Sequence, residues 1–163
     1  MIEQVGNVWR YYQNWQWIAI TTNSIVKANG KAVMGAGIAK QATLLVPHIA
    51  QSLGASLQKY GSTVREIHSR ILAFPTKKEW WKDSCIELIQ LSAHQLQDFL
   101  NYNKDIEKVY MPRPGCGSGN LSWADVQPVL QKILDDRVII LQPKGESKWQ
   151  NATHKQSRSL NGI

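Results

Sequence analysis

Two glycine-rich stretches of the sequence could bring bare backbone amides close to an anion. "AVMGAGIAK" (32–40) leads into a helix-forming run, and "PRPGCGSGN" (112–120) follows a short apolar run. Amides of a glycine-rich turn at a helix N-terminus can hold phosphate oxygens, and the helix dipole adds to this. The first stretch is neither a dinucleotide fingerprint, because Lys40 replaces its third glycine, nor a P-loop. Close packing of backbone is the alternative explanation for the glycines of both stretches.

A third stretch, "FPTKKEWW" (74–81), adds cations and aromatic rings. Lys77 and Lys78 follow a predicted strand end at Pro75. A lysine there could pair with phosphate or, if desolvated, act as a nucleophile or base. Trp80 and Trp81 could stack on a base or form the wall of a pocket. Solvated surface charge is the alternative for both lysines.

Strands and helices alternate along the chain, which predicts an α/β fold. The strands are predicted at 2–5, 17–23, 69–76, 107–112 and 137–141. The helices are predicted at 38–46, 47–61, 83–100 and 123–135. We expect Asp83 or Ser84 to cap the third helix, with Glu87 completing a capping box on Ser84, and Pro128 to begin the regular part of the last. This order indicates a three-layer α/β/α sandwich around a mixed, mostly parallel sheet. Such folds bind ligands beyond the C-terminal ends of their strands, where all three stretches fall.

Composition limits the remaining possibilities. The chain has 163 residues, which we divide into one domain at 1–142 and a polar tail at 143–163. Its net charge of +7 favours anionic partners such as nucleotides or nucleic acid. The N-terminus has no signal-peptide pattern, and no apolar run approaches the roughly 18–20 residues that span a membrane. Two distant cysteines and four scattered histidines predict a cytoplasmic protein without a structural metal.

Taken in order, the segments "TTN" (21–23), "VMGAGIA" (33–39), "FPTK" (74–77) and "PGCGSGNLSW" (114–123) resemble the macrodomain family. That resemblance covers about residues 2–142 and implies an ADP-ribose-binding α/β/α sandwich. Within the family, the motifs are most similar to the branch of the terminal ADP-ribose protein glycohydrolases and the DarG-type DNA ADP-ribosyl glycohydrolase antitoxins.

The resemblance also implies site residues. Lys77 matches the catalytic lysine of this branch, and Asn29 matches an asparagine near the distal ribose, so the resemblance makes both candidate catalytic residues. Asn7 stands where the family usually has an adenine-binding Asp, and Gly119 stands where the protein-glutamate hydrolases have a catalytic Asp. The DNA-thymidine antitoxins also have Gly there, which favours their chemistry. The ligand-binding residues implied are Asn7, Val8, Asn23, Val33, Met34, Gly35, Ala36, Gly37, Ile38, Ala39, Pro114, Gly115, Cys116, Gly117, Ser118, Gly119 and Asn120.

We therefore expect a macrodomain that binds ADP-ribose and hydrolyses ADP-ribosyl linkages on a DNA base or a protein side chain, with Lys77 and no cofactor. The expected partners are ADP-ribose, an ADP-ribosylated macromolecule or nucleic acid, and no membrane. Three alternatives stay open: a non-catalytic ADP-ribose reader, a phosphatase acting on ADP-ribose 1″-phosphate, and a nucleic-acid-binding domain without nucleotide chemistry. The sequence leaves the acceptor and the oligomeric state undetermined.

Overall fold

The computed structural model describes residues 1–145, in which strands and helices alternate as the sequence predicts. The strands are β1 (Ile2–Val5), β2 (Trp17–Thr22), β3 (Arg65–His68), β4 (Ile71–Pro75), β5 (Val109–Pro112) and β6 (Val138–Gln142). The helices are α1 (Val8–Gln13), α2 (Gly37–Leu45), α3 (Ile49–Tyr60), α4 (Ile86–Tyr102) and α5 (Trp123–Gln131). All but the first three residues of the predicted tail lie outside the described part of the chain.

All six strands form one sheet in the order β1-β6-β5-β2-β4-β3. Every neighbouring pair is parallel except β3 and β4, so the prediction of a mixed, mostly parallel sheet is confirmed. The central strand β2 lies between β5 and β4. The C-terminal ends of these three strands are therefore adjacent, and the three unusual stretches of sequence follow them.

Apolar side chains fill both faces of the sheet and create the three layers. On one face, Leu72 and Phe74 of β4 belong to the cluster that includes the buried side chains of α4 and α5. On the other face, Ile71 and Ala73 of the same strand pack with side chains of α2 and α3. All five residues of β4 are buried, as expected for a strand covered on both sides.

Strand β3 is absent from the sequence prediction. It has four residues and lies at the edge of the sheet, where it pairs antiparallel with β4. Only Ile67 of this strand is buried, so its sequence shows no clear alternation of apolar and polar residues. Edge strands with one buried side chain give little hydrophobic signal.

Two predictions about helix ends are wrong. Helix α4 begins after an N-cap at Cys85, and neither Asp83 nor Ser84 caps it. Glu87 accepts a hydrogen bond from the Cys85 thiol at 3.1 Å and forms no capping box on Ser84. Ser84 is instead buried beneath the loop that follows β5, where its backbone N–H donates to Gly119 O at 2.9 Å.

Pro128 lies inside α5 and does not begin a separate helix. A proline there removes one backbone donor and usually weakens a helix. Val126 and Leu130, on either side of it, are fully buried and hold the helix against the sheet. The packing of these two side chains therefore outweighs the unfavourable effect of a proline inside a helix. The helix ends at Gln131, earlier than predicted. None of the helices between residues 1 and 145 is long and apolar enough to cross a membrane.

Candidate functional site

A cleft of about 340 Å³ opens at the C-terminal ends of β5, β2 and β4. Four segments form its walls: the end of β2, the first glycine-rich loop, the loop after β4 and the second glycine-rich loop. The lining residues are Thr21, Thr22, Asn23, Val33, Met34, Gly35, Ala36, Gly37, Ile38, Ala39, Thr76, Lys77, Trp80, Ser84, Pro112, Arg113, Gly115, Gly117, Ser118 and Gly119. None of these described residues is acidic, so the cleft suits an anion.

Asn23 positions the first glycine-rich loop (residues 33–37), which lines the cleft and ends at the first residue of α2. Its side-chain amide donates to Val33 O at 2.9 Å, and its Oδ1 accepts from Ile25 N at 3.0 Å. The intervening segment folds back on itself through a bridge between Val26 and Ala32. Both ends of the Asn23 side chain are thus bound to backbone, and this residue positions the loop.

Helix α2 begins at Gly37, directly in the cleft. Its N-cap, Ala36, has no side chain that could cap the helix, and its first turn contains no acidic residue. Lys40 N donates to Ala36 O at 3.2 Å, which is the first turn of the helix. The first amides of a helix have no intrahelical acceptors and lie at the positive end of its dipole. The amides of residues 37–39 are therefore well placed to bind an anion.

The two glycine-rich loops face each other across the cleft. A Cβ at Gly37 would lie 3.5 Å from Ser118 Oγ in the second loop, whereas a Cβ at Gly35 would meet no atom within 4 Å. Gly37 has a φ of +56°, a conformation that L side chains rarely adopt. The two loops therefore approach each other closely at Gly37 and Ser118, and open space remains beside Gly35.

The second glycine-rich loop (residues 113–120) folds back onto the start of α4. Leu121 N donates to Gly115 O at 2.8 Å. A Cβ at Gly115 would come within 2.7 Å of Ile89 Cδ1. A Cβ at Gly119 would overlap the Ser84 hydroxyl and lie 2.6 Å from Gly115 O. The base of this loop is therefore tightly packed, and position 119 has no room for the aspartate of the protein-glutamate hydrolases.

Lys77 connects the loop after β4 with the second glycine-rich loop. Its Nζ donates to Lys82 O at 3.2 Å and to Ser118 O at 3.5 Å. The preceding residue, Thr76, is held to β2 because its N–H donates to Thr22 O at 3.0 Å. A primary amine held by two backbone carbonyl groups thus lines the cleft, where it can donate to an anion.

Several residues implied by the resemblance do not line the cleft. Asn7 caps α1, since its Oδ1 accepts from Trp9 N at 2.9 Å, and Val8 is buried in the core. Asn29 is exposed, and its Oδ1 accepts from Lys31 N at 3.0 Å. These polar side chains serve the local backbone in this structure.

Three residues of the second loop also lie outside the lining of the cleft. Pro114 is buried, and Asn120 donates to Asp83 Oδ1 at 2.8 Å. Cys116 packs against the core, and this burial raises the pKa of its thiol to about 11. The exposed tip of the second loop, residues 117 and 118, therefore lines the cleft.

Trp80, which the sequence suggested as a pocket wall, lines the cleft. Other lining residues were not among those the sequence implied: Thr21, Thr22, Thr76, Ser84, Pro112 and Arg113. Arg113 lies over the ring of Trp123 at 4.9 Å and donates to Gln142 Oε1 at 3.0 Å. Arg113 directly follows β5. A positively charged residue at the C-terminal end of a predicted strand is the sequence signal that could have identified it. The hydroxyls of Thr22 and Ser84 are buried without a hydrogen-bond partner.

No family model matches the chain, but curated relatives do. It is 33% identical over 86 residues, 51% of this chain and 22% of the relative, to a DNA ADP-ribosyl transferase–DNA ADP-ribosyl glycohydrolase fusion protein of Thermosipho africanus. It is 28% identical over 134 residues, 74% of this chain and 38% of the relative, to a DNA ADP-ribosyl glycohydrolase of Mycobacterium tuberculosis. The chain thus spans less than two fifths of the length of these relatives.

Solved structures share the fold. Thermosipho africanus DarTG in complex with ADP-ribose matches with a TM-score of 0.70 and 20% identity, over 90% of this chain and 43% of that one. The macrodomain of Mycobacterium tuberculosis DarG matches with a TM-score of 0.68 and 25% identity, over 88% of this chain and 97% of that one. The chain therefore has the macrodomain fold and resembles the DarG macrodomains in sequence and in structure.

Proposed function

We propose that this chain binds ADP-ribose in the cleft and hydrolyses an ADP-ribosyl linkage on DNA with the help of Lys77. The observation that carries the proposal is the position of the Lys77 amine, 3.5 Å from Ser118 O and between two loops whose backbones face the cleft. Two relatives named as DNA ADP-ribosyl glycohydrolases, and a similar structure solved with ADP-ribose, support it.

Two regions of the cleft are assigned to parts of the ligand in this proposal. The diphosphate would lie against the first amides of α2 and the tip of the second loop, because both offer backbone donors and no acidic side chain is among the described residues that line the cleft. The distal ribose would then extend towards Lys77. Tight packing at Gly119 favours a mechanism that depends on the lysine without a loop aspartate.

At the distal ribose, the linkage between C1″ and the acceptor breaks during hydrolysis. Lys77 would act at C1″, either as a nucleophile that water later displaces or by stabilising the departing group. In both routes the acceptor leaves with the electron pair of the broken bond and gains a proton, and water supplies the hydroxyl of free ADP-ribose. The hydrogen bonds of Nζ to two carbonyl groups orient the amine for this role.

The test is the release of ADP-ribose from modified single-stranded DNA and, in parallel, from modified protein. Lys77→Ala should abolish release while ADP-ribose binding, measured by calorimetry, persists. Lys104→Ala is the matched control, because Lys104 is exposed in the connection from α4 to the start of β5, at the opposite end of that strand from the cleft. Full release by Lys77→Ala would refute the proposal. Binding without release by the wild-type protein would indicate a reader of ADP-ribose.

A further inference from the structure

We propose that the loop between β4 and α4 carries a platform for single-stranded DNA, which binds the nucleotides next to the modified one. We define this platform as Lys78, Trp80, Trp81 and Lys82. The proposal rests on the proposed function for the position of the modified nucleotide, since that nucleotide would enter the cleft beside the platform. It assigns a role to side chains that the chemistry at Lys77 does not use.

The two tryptophan rings of the platform are unusually exposed. Trp80 and Trp81 keep 54% and 58% of their surface in solvent, and their ring centroids are 5.5 Å apart with an angle of 87° between planes. Large aromatic side chains contribute most when they are buried, so two adjacent exposed rings indicate a binding surface. Flat nucleobases are natural partners, because every base has a face that stacks on an aromatic ring.

The platform is continuous with the cleft. Trp80 lines the cleft together with Lys77, and the ring of Trp81 packs edge-on against Trp80. Hydrogen bonds fix the loop: Ser24 N donates to Lys78 O at 2.9 Å, and Lys82 N donates to Glu79 O at 3.2 Å. A strand whose modified nucleotide points its ADP-ribose into the cleft would have these rings beside it.

The charges around the rings favour a polyanion. Lys78 is exposed, and Lys82 keeps 61% of its side chain in solvent. The two carboxylates of the loop already have partners, since Glu79 lies 3.4 Å from Lys82 and Asp83 accepts from Asn120 at 2.8 Å. An exposed ion pair such as Glu79–Lys82 contributes little, so phosphate can compete for the lysine. Aromatic rings between lysines are typical of surfaces that bind single strands.

The first experiment measures binding of an unmodified, labelled dT12 oligonucleotide by fluorescence anisotropy. Trp81→Ala should raise the dissociation constant about 5- to 150-fold, the range expected for loss of one base–ring stack. Trp15→Ala is the matched control, because Trp15 is also exposed but directly precedes the start of β2, at the opposite end of that strand from the cleft. Equal affinities of the wild-type protein and Trp81→Ala would overturn the proposal.

The second experiment compares two substrates, ADP-ribosylated thymidine and the same nucleoside within a dT12 strand. Trp81→Ala should lower kcat/KM on the oligonucleotide, mainly through KM, and leave the nucleoside unaffected. An equal loss on both substrates would assign Trp81 a structural role and overturn the platform. If the wild-type protein releases no ADP-ribose yet binds dT12 through Trp81, the platform stands and the proposed hydrolysis fails. If the wild-type protein releases ADP-ribose but its affinity for dT12 does not depend on Trp81, the proposed hydrolysis stands and the platform fails.

Discussion

The two glycine-rich loops look alike in sequence but differ in what surrounds their glycines. In the first loop, a Cβ at Gly35 would meet nothing within 4 Å, and one at Gly37 would approach only Ser118 Oγ, at 3.5 Å. In the second loop, Gly115 and Gly119 lie against Ile89 and Ser84, and only Gly117 is open. The first loop leaves space beside its backbone, and the second fills most of that space with protein.

This difference shows that glycine content alone does not distinguish a ligand site from close packing. An open glycine next to a cleft leaves room that a ligand can occupy, whereas a packed glycine is required by the fold itself. Substitution separates the two roles. A side chain at a packed glycine should reduce stability, and one at an open glycine should reduce only ligand binding.

The largest loss of stability is expected for Gly119→Ala. The new methyl group would overlap the Ser84 hydroxyl and lie 2.6 Å from Gly115 O, so the loop or α4 must shift. Overpacking of this kind costs about 1–3 kcal/mol, which urea unfolding can measure. Gly117→Ala is the control in the same loop, because a Cβ at Gly117 would meet no atom within 4 Å. An unfolding midpoint equal to that of the wild-type protein would show that this loop is not tightly packed.

A smaller loss is expected for Gly37→Val, together with loss of ADP-ribose binding. The φ of +56° costs an L residue about 1–2 kcal/mol, and the isopropyl group would project towards Ser118. Gly61→Val controls for backbone strain, since Gly61 has a φ of +75°, open surroundings and a position outside the cleft lining. Gly61→Val should lose at least as much stability as Gly37→Val, because the ψ of −165° at Gly61 lies in a region essentially restricted to glycine, but only Gly37→Val should lose affinity in calorimetry. An unchanged affinity of Gly37→Val for ADP-ribose would show that Gly37 is needed only for the backbone conformation.

No loss of stability is expected for Gly35→Val, which makes it the sharpest test of the first loop. Gly35 has no neighbour within 4 Å of a Cβ, and its φ is not in the left-handed region, so the side chain fits the free protein. It would occupy the space in which the diphosphate is proposed to lie. We expect ADP-ribose affinity to fall at least about tenfold, or 1.4 kcal/mol, at an unchanged melting temperature. Retained affinity would place the diphosphate elsewhere.

The sequence predicts the architecture well because the signals for it are local. Strand β4 is a continuous apolar run, and α4 repeats its buried residues at helical spacing, from Ile89 through Ala93 and Leu96 to Leu100. The edge strand β3 has a single buried residue and leaves no such pattern. Pattern recognition therefore succeeds where burial is extensive and fails at the edge of the sheet.

The site is predicted less completely because parts of it depend on contacts between distant segments. Ser84 looks like a helix cap in sequence, but it lies beneath Gly119, 35 positions along the chain. Asn7 and Asn29 lie outside the cleft lining, and each accepts a hydrogen bond from the backbone two residues ahead, so their role in ligand binding stays a prediction. Such short-range use of an asparagine side chain is common and cannot be distinguished from ligand binding by the residue type alone.

The smallest effect concerns Cys116 and tests how tightly the second loop is packed without altering it. Burial raises the pKa of its thiol to about 11, so almost no thiolate forms near pH 8, whereas Cys85 is exposed. Only the thiolate reacts readily, so iodoacetamide should modify Cys85 first, and the rate at Cys116 should keep rising as the pH approaches about 11. Peptide mass spectrometry over a pH series measures both rates. Rapid modification of Cys116 at pH 8 would mean that the second loop opens in solution, and its glycines would then resemble those of the first loop.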